Sequence, residues 1–202
     1  TFMDQLAANG VPDMLSFCFG RYTGGVLSLG DDLQRMADPN GFAHRVPMDT
    51  SLGYYGVRPA TMRLGSSEYY LPSNTYSIVD SGTTLLLTDP TTASTARSYV
   101  VNAAQKYLDF STYAAVQTVM SNSDLGLFTC LSKRQVARIA CMPNLDFSFR
   151  DVNGNLVYVP IPSTSYFWIE SGFSGCNGNV AVAFAIMPLG GLGNSVTMIM
   201  GD

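Results

Sequence analysis

The chain has one histidine, His44, and one tryptophan, Trp168, among 202 residues, and only 13% of it is charged. A histidine-built metal cluster is therefore excluded. A Ser-His-Asp triad would have to use His44, in Gly41-Phe42-Ala43-His44-Arg45, and no Gly-x-Ser-x-Gly elbow exists to carry the nucleophile. His44 reads as a loop histidine. Positive charge is scarce: 11 Lys and Arg against 15 Asp and Glu give a net charge of -4 and a pI near 4.8. No basic stripe can neutralise phosphates, which argues against a nucleic-acid or anionic-membrane partner. Lys133, Arg134 and Arg138 form the one basic cluster and read as a solvated loop or helix face. No apolar run reaches the roughly 20 residues of a membrane span. Asn-x-Ser/Thr is absent, since Asn74-Thr75-Tyr76 and Asn194-Ser195-Val196 both fail at the third position. Gly190-Gly191-Leu192-Gly193 lacks the lysine of a P-loop and reads as a flexible loop, and Asp31-Asp32 reads as a solvated turn. The four cysteines, Cys18, Cys130, Cys141 and Cys176, contain no C-x-x-C pair; they allow two disulfides with three connectivities.

What is present is 47% hydrophobic sequence broken by 19 Gly and 10 Pro, the composition of many short strands and turns. The clearest hairpin is Leu145-Asp146-Phe147-Ser148-Phe149, the turn signal Asn153-Gly154, and the return Leu156-Val157-Tyr158-Val159. Residues 180–186 and 196–200 read as further strands. One region is helical: Asp89 caps, Pro90 opens, and Ala96, Tyr99, Val100, Ala103 and Tyr107 recur at helical spacing. A second short helix is expected over 112–120. With neither an internal repeat nor a low-complexity linker, residues 1–202 are expected to form one domain.

Chemistry concentrates at Tyr76-Ser77-Ile78-Val79-Asp80-Ser81-Gly82-Thr83-Thr84. Residues 76–79 are strand formers and Ser81-Gly82 is turn chemistry, so Asp80 stands where a strand ends. Near Ile78, Val79 and the run Leu85-Leu86-Leu87, its carboxylate needs hydroxyls and backbone amides as partners.

Asp80-Ser81-Gly82-Thr83-Thr84 after two apolar residues resembles the Asp-Thr/Ser-Gly-Thr/Ser signature of pepsin-like aspartic endopeptidases, in its second-lobe form. Further segments resemble that family in the same order. They are Phe2-Met3-Asp4-Gln5-Leu6 with Leu15-Ser16-Phe17-Cys18-Phe19, then Gly24-Gly25-Val26-Leu27-Ser28-Leu29-Gly30-Asp31, and Val46-Pro47 with Tyr54-Tyr55-Gly56-Val57. Cys141-Met142-Pro143-Asn144-Leu145-Asp146-Phe147 and Ile161-Pro162-Ser163-Thr164-Ser165-Tyr166 resemble later strands, and Ile199-Met200-Gly201-Asp202 resembles the segment that crosses behind the catalytic loop in a ψ-shaped motif.

The resemblance implies an all-β, barrel-like second lobe with one or two short helices, whose partner is the first lobe of the same polypeptide. That lobe's Asp-Thr-Gly turn and flap are not in this sequence, which reads as part of a longer protein. It implies peptide hydrolysis by two aspartates activating water, with Asp80 as one of them, a peptide or protein as substrate, and neither cofactor, metal nor nucleic acid. Ser81, Gly82, Thr83 and Thr84 support the turn: Gly82 admits substrate backbone, Thr83 reaches toward the other lobe, and the Thr84 hydroxyl bonds Asp80. Ile78 and Tyr54 line the cleft, and Ile199, Met200 and Gly201 form the ψ crossing. The resemblance favours a Cys130–Cys176 bridge over Cys141–Cys176, leaves Cys18 and Cys141 as buried thiols, and implies a secretory, vacuolar, lysosomal or extracellular location. The competing expectation is a pepsin-like protein that has lost catalysis and keeps its cleft for binding; a self-pairing lobe, as in retroviral-type proteases, is a third.

Overall fold

The computed structural model describes residues 2–12, 15–19, 25–29, 45–49, 53–80, 82–123, 126–189 and 196–201, without the side chains of 2–3, 15–19 and 25–29. Ser81, His44, Asp31-Asp32 and Gly190-Gly191-Leu192-Gly193 lie outside these residues. The chain falls into two compact units, 1–45 and 46–202.

The first unit contains helix α1 (Phe2–Ala8) and the antiparallel pair β1 (Leu15–Phe19) and β2 (Gly25–Leu29).

The second unit is mostly β. One open sheet has the order β10-β9-β4-β5, from β4 (Pro59–Leu64), β5 (Ser67–Tyr70), β9 (Leu145–Arg150) and β10 (Leu156–Ile161), all antiparallel. The β9–β10 hairpin forms where the sequence signalled it: Asp151 Oδ1 accepts from the amides of Asn153 and Asn155 at 2.9 and 2.8 Å, and Gly154 takes the positive φ of 84° that its position in the turn demands. On β9 the alternate residues Leu145, Phe147 and Phe149 are buried in the core. Ser148, on the opposite face, is buried as well, because its hydroxyl is satisfied by Thr61 Oγ1 at 2.7 Å and by the Thr61 amide at 3.0 Å. Beside this pair Arg63 Nη2 donates to Asp146 Oδ2 at 2.8 Å while its guanidinium lies 4.2 Å from the centre of the Tyr158 ring.

A second sheet has the order β11-β12-β8, from β8 (Thr129–Leu131), β11 (Phe167–Ser171) and β12 (Val180–Phe184). A third has the order β13-β7-β14-β6-β3, from β3 (Gly56–Val57), β6 (Ser77–Val79), β7 (Leu86–Thr88), β13 (Ile186–Pro188) and β14 (Met198–Met200). Among the described residues no sheet closes into a barrel.

Helix content exceeds the expected one or two short helices. Helix α2 (Pro90–Tyr107) has 18 residues and begins as the sequence indicates, with Asp89 Oδ1 accepting from the Thr91 and Thr92 amides at 3.0 Å each and Pro90 at its first turn. Its buried face is Thr92, Ala93, Ala96, Val100, Ala103 and Ala104; Tyr99 is half-buried, and Tyr107, expected in the same stripe, is exposed at the helix end. Helix α3 (Phe110–Ser123) extends the expected 112–120 helix at both ends and packs on α2 and β12. Helix α4 (Lys133–Ile139) carries the basic cluster and starts with a Ser132–Gln135 capping box. Pro162-Ser163-Thr164-Ser165-Tyr166, expected as strand, contains instead the short helix α5 (Ser163–Tyr166): Ser165 and Tyr166 amides donate to the Pro162 carbonyl, and a proline ahead of a first turn has no donor to lose.

Cys130 and Cys176 form a disulfide with Cα atoms 5.3 Å apart. Cys141 is free but exposed rather than buried, because it sits on the surface turn after α4, where its thiol donates to the Ala137 carbonyl. The side chain of Cys18 is outside the described residues.

Candidate active site

Strand β14 runs between β6 and β7. It pairs in parallel with β6 (Met198 with Ser77, Ile199 with Ile78, Met200 with Val79) and antiparallel with β7 (Met198 with Thr88, Met200 with Leu86). Two strands joined by one turn are thus parted by a third that arrives from far along the chain, which is a ψ topology. Ile199 and Met200 both lie in this crossing strand.

The arrangement is fastened at both ends. Before β6, Tyr76 is clamped by Thr197: its amide donates to Thr197 Oγ1 at 2.9 Å, and its carbonyl accepts from the Thr197 and Met198 amides at 3.1 Å. The buried Tyr76 ring ends in a hydroxyl that donates to the Asp49 carbonyl at 2.8 Å, and it packs where any side chain on Gly56 would stand. After β6, the Asp80 amide donates to the Met200 carbonyl at 3.0 Å. Gly201 then passes directly beneath the turn, so close that a Cβ there would overlap the carbonyl oxygens of Thr83 and Leu85. Met200 and Gly201 thus support the turn from below.

The turn itself is closed by the Thr83 amide donating to the Asp80 carbonyl at 3.2 Å. That places the two following donors over the Asp80 carboxylate: the Gly82 amide reaches Oδ1 at 2.9 Å, and the Thr83 hydroxyl reaches Oδ2 at 2.7 Å. The hydroxyl that holds Asp80 is therefore that of Thr83, not Thr84. The cause is register, because a four-residue turn brings residue i+3 back over residue i while residue i+4 has already left. Gly82 suits the turn as glycine, since a Cβ there would stand 3.2 Å from Asp80 Oδ1. Asp80 is half-buried rather than enclosed, and Val79 beside it is 59% exposed. The Thr83 hydroxyl and then the Gly82 amide hold the Asp80 carboxyl below the usual aspartate range, against the opposing effect of partial desolvation.

Thr84 is exposed and lines a groove of about 250 Å³ together with Leu86, Ile161, Ser165, Ile186 and Gly201. Tyr166 forms part of the groove's buried wall, its hydroxyl donating to the Pro143 carbonyl at 2.8 Å; burial raises its pKa well above the usual tyrosine value. Neither Thr197 nor the groove residues Leu86, Ser165 and Ile186 were legible as site residues; the polar Thr197 within the apolar 196–200 run was the one available signal. Ile78 is half-buried in β6, paired across to Gly56 and Ile199. Tyr54 and Tyr55 are both exposed just before β3, and the Tyr55 carbonyl anchors the Val79 amide at 3.2 Å.

No protein-family model matches the chain, and no curated protein matches it. The chemistry of the site follows from its own geometry. A carboxylate with each oxygen already accepting one donor is fixed in orientation, is favoured in its charged form, and retains open lone pairs on its exposed side. Such a group can accept a proton from a bound water, which is the task of a general base.

Proposed function

We propose that this chain is the second lobe of a pepsin-like aspartic endopeptidase and that Asp80 is one of the two carboxylates that activate water for peptide hydrolysis. The observation that carries the reading is the Asp80 turn held in the ψ crossing: β14 passes between β6 and β7, Gly201 fits under the turn, and Gly82 and Thr83 orient the half-exposed carboxylate. A structural aspartate capping its own turn requires none of that backing.

In this reading a second aspartate, from the first lobe, stands opposite Asp80 across a water. Two such carboxyls cannot both ionise, so the pair shares one proton, the behaviour for which aspartic proteases are the standard example. The ionised member takes a proton from the water as its oxygen attacks the peptide carbonyl carbon. The protonated member gives its proton to the developing oxyanion; in the collapse that follows, the carboxyl that took the water's proton passes it to the leaving nitrogen while the other takes back the hydroxyl proton, so that the C–N bond breaks, the amine departs and the pair again holds one proton. The groove beside Thr84, walled by Leu86, Ile161 and Ile186, supports apolar substrate side chains lying next to the scissile bond. The Cys130–Cys176 bridge supports a location in the oxidising secretory route.

The test is Asp80→Asn in the complete two-lobed polypeptide, assayed on a denatured protein at acid pH. Asparagine keeps the size and the acceptor oxygen of the turn but cannot shuttle a proton, so cleavage is expected to vanish while thermal unfolding is unchanged. Undiminished cleavage by that variant overturns the proposal. The 202-residue chain as a monomer is expected to be inactive, and activity confined to a dimer would replace the two-lobe reading by a self-pairing lobe.

A further inference from the structure

The corner between α2 and α3 gathers features that composition conceals. Residues Leu108 and Asp109 join the helices, and on either side stand Tyr107, 54% exposed, and Phe110, 84% exposed, more than any other large hydrophobic side chain described. Phe110 is not on a loose loop. It is the first residue of α3, whose start is fixed by Asp109 accepting from the Thr112 amide at 3.0 Å and from the Thr112 hydroxyl at 2.9 Å.

Helix α4 packs against α3. It carries Arg134 and Arg138, four residues apart and both exposed, with the exposed Lys133 beside them. The Asp109 carboxyl lies below the usual range, first through its Thr112 bonds and then through the charges of Arg138 and Arg134, which places both arginines within electrostatic reach of the residue preceding Phe110. On the other side Lys106 is exposed, with Nζ 5.2 Å from the centre of the Tyr107 ring. Among the described residues none of these four cations is held in an ion pair.

We propose that this corner, Phe110 and Tyr107 together with Lys106, Lys133, Arg134 and Arg138, is a peripheral docking surface for an anionic lipid bilayer. The net charge of -4 argued against such a partner, but an average does not describe a face. The fold collects four of the 11 cations here, so that even with Asp109 counted the corner carries +3 in a chain whose net charge is -4. A face with that local excess of positive charge is attracted to a negative surface. An apolar ring at that corner supplies the second contribution that reversible membrane attachment requires, burial at the boundary between headgroups and acyl chains. Duplex nucleic acid offers no apolar layer for Phe110 to enter. Among the described residues no helix is long and apolar enough to cross a membrane, so the attachment is peripheral.

The test is co-sedimentation of the 202-residue chain with phosphatidylcholine vesicles with and without phosphatidylserine, at low and high salt. Binding is expected only with phosphatidylserine, and salt is expected to release it. The double variant Arg134→Gln/Arg138→Gln should weaken partitioning by about 25-fold, roughly fivefold for each charge. Phe110→Ala should weaken it at every salt concentration. All three side chains are exposed, and circular dichroism checks that the variants keep the fold. No phosphatidylserine-dependent binding overturns the proposal, as does binding that neither variant weakens. Arginine-dependent binding to single-stranded DNA without vesicle binding would assign the corner to nucleic-acid phosphates and equally overturn it.

Discussion

Replacing Gly201 by alanine perturbs the candidate site without touching an ionisable group. A Cβ at position 201 would overlap the Thr83 carbonyl oxygen and come within 2.7 Å of the Leu85 carbonyl oxygen, closer than real Cβ atoms approach a neighbour. Both contacts are with backbone, so no side-chain rotation relieves them. Either the end of β14 or the turn after Asp80 must withdraw. Overpacking of this kind costs about 1–3 kcal/mol. Withdrawal also weakens the bond from the Asp80 amide to the Met200 carbonyl, now 3.0 Å, worth about 1 kcal/mol net. The expected loss is thus about 2–4 kcal/mol, or roughly 4–16 °C in melting temperature for a chain of this size. Thermal unfolding followed by circular dichroism measures it, and the ¹³C shift of the Asp80 carboxyl reports whether the turn has moved. Gly82→Ala is the comparison, since its Cβ would meet only the Asp80 Oδ1 atom, at 3.2 Å. A Gly201→Ala chain that melts within about 1 °C of the parent with an unmoved Asp80 signal would refute the claim that close backbone approach holds the turn.

Thr83→Val removes the first support of the Asp80 charge, so its NMR-titrated pKa should rise toward the ordinary value of about 3.9, while Thr84→Val should leave it unmoved. Because the folded pKa lies below the unfolded one, Asp80 adds stability above that ordinary value, and this contribution disappears as pH falls through the folded value. Thr83→Val should therefore flatten the acid limb of a stability-against-pH curve. Tyr166 has the opposite sign: its folded pKa is raised, so its stabilisation is full below about pH 10 and is lost as pH climbs beyond, and Tyr166→Phe should remove that alkaline loss at a cost of about 1–2 kcal/mol for the Pro143 acceptor left unmet. Reducing Cys130–Cys176 opens a cross-link spanning 46 residues and should cost about 4 kcal/mol in a chain-entropy account, read as a lower melting temperature in reductant that a Cys130→Ala/Cys176→Ala chain does not show.

Where residue type alone decides the local geometry, the sequence was legible. Asp89-Pro90 marks the start of α2 because a capping carboxylate and a residue without a donor suit only a helix start, and Asn153-Gly154 marks the β9–β10 turn. The end of α2 was less so: Tyr107 fits the apolar spacing yet is exposed, since spacing does not say where the neighbouring sheet stops. The β4–β5 hairpin escaped because Ser67-Glu68-Tyr69-Tyr70 is an edge strand with only half-buried and exposed positions, and because the buried Thr61 of β4 looks polar until Ser148 arrives from 87 residues away. The basic cluster was visible, but its closeness to Phe110 depends on how α3 and α4 pack.

Within the Asp80 turn the same division recurs, and it bears on how the proposed reaction would be shared. Aspartate, glycine and hydroxyls in sequence announce a carboxylate held in a turn. Which hydroxyl holds it is a matter of one residue of register, and Thr83 rather than Thr84 comes back over residue 80. The Gly82 and Thr83 bonds both favour the charged form of Asp80. In a pair of carboxyls sharing a single proton, the proton rests on the member with fewer donors to its anion. On the proposed reading Asp80 is the base that deprotonates water whenever the opposing carboxyl is less well supplied, and a Thr83→Val change moves the proton toward Asp80 and slows cleavage at the acid end of the pH profile first.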